Sequence, residues 1–173
     1  QSLKPLAALN RLAYVNISNT KISDLKPLRY SPRLSVLIAS NTSINDLSVI
    51  EYFEQLRELD LSRTNVTAID AMAKSSLEIL NLSGTNVVVF SPLVSVTTLL
   101  QVNLSNSAFS DLSQLSSSKS LEWLDVSRTG ITQLQSISNS KKLSYLNVSE
   151  TYIANLNGAD KLTGLTEIHL NQT

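Results

Sequence analysis

Leu121-Glu122-Trp123-Leu124-Asp125-Val126-Ser127-Arg128-Thr129-Gly130-Ile131-Thr132-Gln133-Leu134-Gln135-Ser136-Ile137 is the stretch that decides the fold of this chain. Counting Leu121 as place 0, apolar residues stand at places 3, 5, 10, 13 and 16, with a threonine at place 8. The series begins again at Leu143, with Leu146, Val148, Thr151, Ile153, Leu156 and Ala159. It runs back through Leu99, Leu77, Leu56 and Leu34 to Leu12, and forward to Leu165. The spacings from Leu12 onward are 22, 22, 21, 22, 22, 22 and 22 residues. A fixed period of that size marks stacked units, none of which can bury its apolar face alone.

Within each unit, Leu124-Asp125-Val126 and Leu146-Asn147-Val148 alternate apolar and polar residues, as a short strand with one buried face does. So short a strand needs partners in the adjacent units. The stack is therefore expected to form one parallel sheet, one strand per coil, with strands about 4.8 Å apart. Place 8 holds a column of hydroxyls: Thr20, Thr42, Thr64, Thr85, Ser107, Thr129, Thr151 and Thr173. They are expected to form a buried structural ladder, each donating to a backbone carbonyl and accepting from an amide of the adjoining coil. On the return path, Asp24, Asp46 and Asp111 sit where an N-cap would, and Pro5, Pro27 and Pro92 follow where a missing N–H costs little. Short 3₁₀ or single-turn helical pieces are predicted there. Ala39, Ala159 and the one-residue-short coil 56–76 are the expected weak points.

The pattern Leu-x-x-Leu-x-Val-Ser-x-Thr-x-Ile-x-x-Leu-x-x-Ile resembles the leucine-rich repeat (LRR). Its 22-residue period is similar to that of the subgroup typified by internalins and SDS22-like phosphatase regulators. The resemblance covers residues 3–173 and departs from the family at place 8, where Thr replaces the usual ladder Asn. It implies an α/β solenoid: a right-handed LRR horseshoe with a concave parallel sheet, and loops or 3₁₀ and short helical turns on the convex side. Residues 1–173 then form a single LRR domain. A partial repeat at 1–11 precedes repeats 12–33, 34–55, 56–76, 77–98, 99–120, 121–142 and 143–164, and a partial repeat at 165–173 follows. Neither end reads as a polar capping repeat, so the chain is expected to be a segment of a longer LRR protein.

Composition bounds the function. Lys plus Arg equals Asp plus Glu at 14 each, which removes the broad attraction that nucleic-acid or anionic-membrane binding needs. No apolar run approaches the roughly 20 residues of a membrane span. Disulfides, thiol nucleophiles and Cys-based zinc sites are excluded because there is no Cys. That absence favours an intracellular compartment, with a secreted or surface location as the alternative. The single His, His169, has no partners at metal-ligand spacing, and the recurrent Ser at place 6 is regular strand-end architecture rather than a nucleophile. No catalytic residue, metal or cofactor is expected.

In a curved stack, the residues between the buried strand positions face the concave side. They include Tyr14, Val36, Ile38, Glu58, Asp60, Ile79, Gln101, Trp123, Asp125 and Tyr145, with Arg63, Arg128, Glu150 and Tyr152 beside them. Trp123 and Tyr145 are the expected anchors, since exposed aromatics dominate interface energetics. Val36, Ile38 and Ile79 are expected to form an apolar patch. The predicted function is a non-catalytic protein–protein interaction module that binds its partner through the concave sheet. A cell-surface adhesin or host-interaction LRR of internalin type, or a structural spacer in a larger protein, is the alternative.

Overall fold

A computed structural model describes residues 2–173. Eight three-residue strands lie in chain order in one parallel sheet: β1 Tyr14–Asn16, β2 Val36–Ile38, β3 Glu58–Asp60, β4 Ile79–Asn81, β5 Gln101–Asn103, β6 Trp123–Asp125, β7 Tyr145–Asn147 and β8 Glu167–His169. The middle residue of each of β1 to β7 is buried, and its two neighbours face the other way. Each return path carries one 3₁₀ segment of three to five residues, from Lys4–Leu6 to Ala159–Lys161. From Lys4–Leu6 to Gln135–Ile137 these segments stack on one another as the convex layer. No described helix is long and apolar enough to cross a membrane.

The sequence dictates the 3₁₀ layer locally. Carboxylates of Asp24, Asp46 and Asp111 accept the N–H of Lys26, Ser48 and Ser113 at 2.9, 2.9 and 2.8 Å. Asn155 holds Asn157 in the same way at 3.0 Å, so an amide serves as well as a carboxylate here. Pro5, Pro27 and Pro92 fall in the first turn of their segments. Between the two layers, the place 0, 3, 5, 10, 13 and 16 side chains stack in columns to form the core. Leu34, Leu59, Leu82, Phe109, Leu134 and Ile137 are all fully enclosed. Phe90 and Phe109 meet edge to face at 5.1 Å across adjacent coils.

The hydroxyl column differs from expectation. All eight hydroxyls donate to the carbonyl three residues earlier in their own coil, as Thr85 Oγ1 does to Leu82 at 2.7 Å and Thr151 Oγ1 to Val148 at 2.7 Å. The amides that Thr20 and Ser107 accept, from Ile22 and Phe109, also lie in the same coil. The column therefore does not bridge coils. A Thr hydroxyl sits on Cβ and reaches only the turn beneath it, whereas an Asn amide is one atom longer.

What the hydroxyl closes is a turn through a left-handed residue at place 7. Asn19, Asn41, Arg63, Asn106, Arg128, Glu150 and Gln172 all have φ between 52 and 57°, and Gly84 has 65°. The link between coils is made by the backbone of that same residue. The N–H of Asn19 donates to Ser40 at 2.9 Å, that of Arg128 to Ser149 at 2.9 Å and that of Glu150 to Asn171 at 2.8 Å. The ladder of coil-to-coil hydrogen bonds therefore runs on past the strand ends.

The short coil leaves a mark on the convex side. Three residues before the next leucine, Phe53 and Val96 are buried in the neighbouring coils, but Lys74 at that place is exposed. A hollow of about 360 Å³ remains, bordered by Ile50, Phe53, Ala71 and Ala73.

Thr85→Val or Thr129→Val keeps the side-chain shape and leaves the Leu82 or Val126 carbonyl without its hydroxyl donor. We expect a stability loss of about 1–3 kcal/mol in urea unfolding. No measurable loss would show that the hydroxyl is not what closes the turn.

Candidate functional site

The strand register builds the concave face from two columns. The first runs Tyr14, Val36, Glu58, Ile79, Gln101, Trp123, Tyr145, Glu167, and the second Asn16, Ile38, Asp60, Asn81, Asn103, Asp125, Asn147, His169. Arg63, Arg128, Glu150 and Tyr152 are not in either column. The strands end before them, so they stand on the turn and the segment beyond it, at the rim of the sheet. The apolar patch is also divided. Val36 and Ile38 adjoin Tyr14, but β3 places Glu58 and Asp60 between them and Ile79.

The second column has a structural duty that its place on the face conceals. Side-chain Oδ1 atoms of Asn16, Asp60, Asn81, Asn103, Asp125 and Asn147 each accept the backbone N–H of the Ser two residues on, at 2.8–3.1 Å. Such a bond caps the strand end, where no further sheet partner exists for that N–H. The recurrent Asn/Asp-x-Ser of the sequence is the visible trace of this cap. One side-chain oxygen is committed to the fold, and the rest of the group is left for contacts on the face.

Trp123 and Tyr145 stack face to face, with centroids 4.9 Å apart and planes 7° from parallel. His169 leans on the far side of Tyr145 at 5.4 Å and 46°, and its Nε2 lies 2.7 Å from Glu167 Oε1. Asn147 Nδ2 donates to Asp125 Oδ2 at 3.2 Å. The other face of Trp123 borders a hollow of about 180 Å³ over β4 and β5, lined by Ile79, Asn81, Gln101 and Asn103. The sequence pointed to Trp123 and Tyr145, but the hollow depends on how the side chains of two neighbouring strands are set beside the indole and was not visible in it.

The electrostatics of this region follow from its carboxylates. Partial burial of Tyr145, then the charges of Asp125 and Glu167, push its phenol above the ordinary tyrosine range, against a lowering by the hydrogen bond from Asn147. On the rim, Arg128 Nε and Nη2 both reach Glu150 Oε1 at 2.9 Å. This hydrogen bond raises the Arg128 pKa and lowers that of Glu150. Both side chains are well exposed, so the pair orders the rim more than it stabilises the fold. Among the described residues no three His, Cys, Asp or Glu side chains gather as metal ligands would.

An open stack of coils, each giving one strand to a concave parallel sheet and one 3₁₀ turn to its back, defines a leucine-rich repeat protein, and this chain is one. Solved structures similar to it include bacterial internalins and plant receptor ectodomains. It superposes on an internalin (inlF) of Listeria monocytogenes with a TM-score of 0.94 at 25% identity, covering 99% of this chain and 51% of that one. An internalin C2 of the same species gives 0.77 at 20%, covering 95% and 83%. A plant peptide hormone receptor, RGFR1, in complex with RGF2 gives 0.81 at 18%, covering 96% and 29%. The chain thus spans about half the length of inlF. By sequence, no family model and no curated protein matches it.

The negative surroundings of the stack are testable by titration. The Tyr145 phenol is expected to ionise above the ordinary tyrosine range, and Asp125→Asn should bring it down, as read by ultraviolet difference absorbance. A folded-state pKa raised in this way favours the neutral phenol. Its stabilising contribution is therefore present below the unfolded tyrosine pKa and is lost as pH rises through the folded value. An unchanged titration in Asp125→Asn would contradict the placement of that charge.

Proposed function

We propose that this chain is a non-catalytic protein-binding module that grips its partner on the concave sheet, with Trp123 and Tyr145 as anchors. The observation that carries this reading is the Trp123–Tyr145 stack on the concave face, beside a hollow that leaves one indole face uncovered. Two large rings already held against each other lose little freedom on binding, and aromatic anchors of this kind dominate interface energetics. The fold supports the reading, since an open solenoid presents an extended concave surface. So does the RGFR1–RGF2 complex, in which a plant peptide hormone receptor of this fold is bound to RGF2. A second reading, adhesion at a cell surface, rests on the likeness to internalins and places its contact on the same face.

The reading predicts where a partner cross-links. A photoreactive side chain placed at Gln101 on the concave face should yield one dominant adduct from the source cell's extract, and one at Tyr52 on the convex face should not. Trp123→Ala with Tyr145→Ala should remove that adduct while leaving circular dichroism unchanged. Equal adducts from both faces, or an adduct indifferent to the double substitution, would dismiss the concave face as the binding surface.

A further inference from the structure

The chain is neutral, with 14 basic and 14 acidic residues, but its charges are sorted. No Lys or Arg occurs in any of the eight strands, whereas Glu58, Asp60, Asp125 and Glu167 all face the concave side. At the margins Arg57 pairs with Glu78 at 3.6 Å and Arg128 with Glu150, while Arg63 stands on the rim outside both columns. Glu58 has no ion-pair partner among the described residues. A face carrying one sign of charge on a neutral molecule selects a partner of the other sign.

Between the two acidic zones lies the hollow over β4 and β5. Its Asn81 and Asn103 side chains are oriented by the strand-end caps, at 3.0 Å each from the Ser83 and Ser105 amides. Their oxygens are thus engaged, and their NH₂ groups are left as donors toward the hollow. Donors in the middle fit backbone carbonyls, and carboxylates on either side fit cationic side chains. The distance suits an extended chain. From β3 to β6 is three strand intervals, about 14 Å, which four residues of extended polypeptide also span at roughly 3.3–3.6 Å each. Residues four apart in such a chain point to the same side.

From this placement, and resting on the concave-face reading above, we propose that the partner presents an extended segment with two basic residues about four apart. One of them sits at Glu58 and Asp60, and the other lies against the free face of Trp123 near Asp125. The segment crosses the hollow with its carbonyls toward Asn81 and Asn103. A guanidinium fits the second position best, since a planar cation stacks on an indole face.

Trp123 is the only tryptophan, so its fluorescence reports this site alone. The probes are three synthetic octapeptides of Gly and Ser carrying, at their second and sixth places, arginine, glutamine or glutamate. The arginine peptide should change Trp123 emission saturably and bind less tightly as salt is raised, because exposed charge pairs are screened. The quadruple variant Glu58→Gln, Asp60→Asn, Asp125→Asn, Glu167→Gln should weaken it about three- to tenfold. That variant keeps its strand-end caps, since Asn fills the same place at Asn16, Asn81, Asn103 and Asn147. Equal binding of the glutamine peptide, binding indifferent to the quadruple variant, or no response to the arginine peptide would overturn the inference. A response to a neutral oligosaccharide in place of the arginine peptide would overturn it too. The cross-linking result stands apart from all of these, because a concave-face adduct with no charge preference would retain the binding face and reject only the basic segment.

Discussion

A strand of three residues cannot hold itself straight, and everything in this molecule follows from how that deficiency is met. Ordering a residue's backbone costs about 1–2 kcal/mol, and one coil has too little apolar surface to offset 22 of them. The remedy is repetition in register. Each coil hands its backbone N–H and C=O groups to the next along the strands, and again through the place 7 amides beyond them. Each core column is completed by the coils above and below. The unit of stability is the interface between coils, so a uniform period is a physical requirement.

The same requirement explains the rim. Bringing the chain round after each strand takes one left-handed residue, and Gly84, Asn19, Asn41 and Asn106 are the residue types that adopt it most readily. Arg63, Arg128, Glu150 and Gln172 adopt it as well, at a cost of about 1–3 kcal/mol each by general experience. The hydroxyl at place 8 holds the turn whatever its side chain, and from Asn19 to Glu150 the inter-coil amide bond does so too. Fixing the turn from within is what frees place 7 to carry long charged residues at the edge of the concave face.

Most of the fold was legible because it is written many times over. The period gave the coils, the alternation around Leu124 and Leu146 gave the strands, and Asp24, Asp46 and Asp111 gave the 3₁₀ starts. Direction was harder than position. The Thr column is where it was expected, but its hydroxyls turn inward to their own coil, because reach is a property of side-chain length and local φ that the pattern does not display. Likewise Arg63, Arg128, Glu150 and Tyr152 look like face residues by proximity in sequence, and the left-handed turn carries them to the rim. Trp123 and Tyr145 stood out by residue type. Their contact followed from register, and the hollow beside them from the way Ile79, Asn81, Gln101 and Asn103 flank the indole, an arrangement spread over three coils that no single stretch reveals.

Removal of residues 99–120, one whole coil, tests most directly whether stability resides in interchangeable interfaces. The cut sets β4 against β6 with every column still aligned, whereas removal of residues 99–109 alone destroys the alignment. Thermal unfolding followed by circular dichroism should show a cooperative transition for the whole-coil deletion, at a lower midpoint than the parent, and none for the half-coil deletion. Two equally cooperative transitions, or loss of folding in both, would contradict the account.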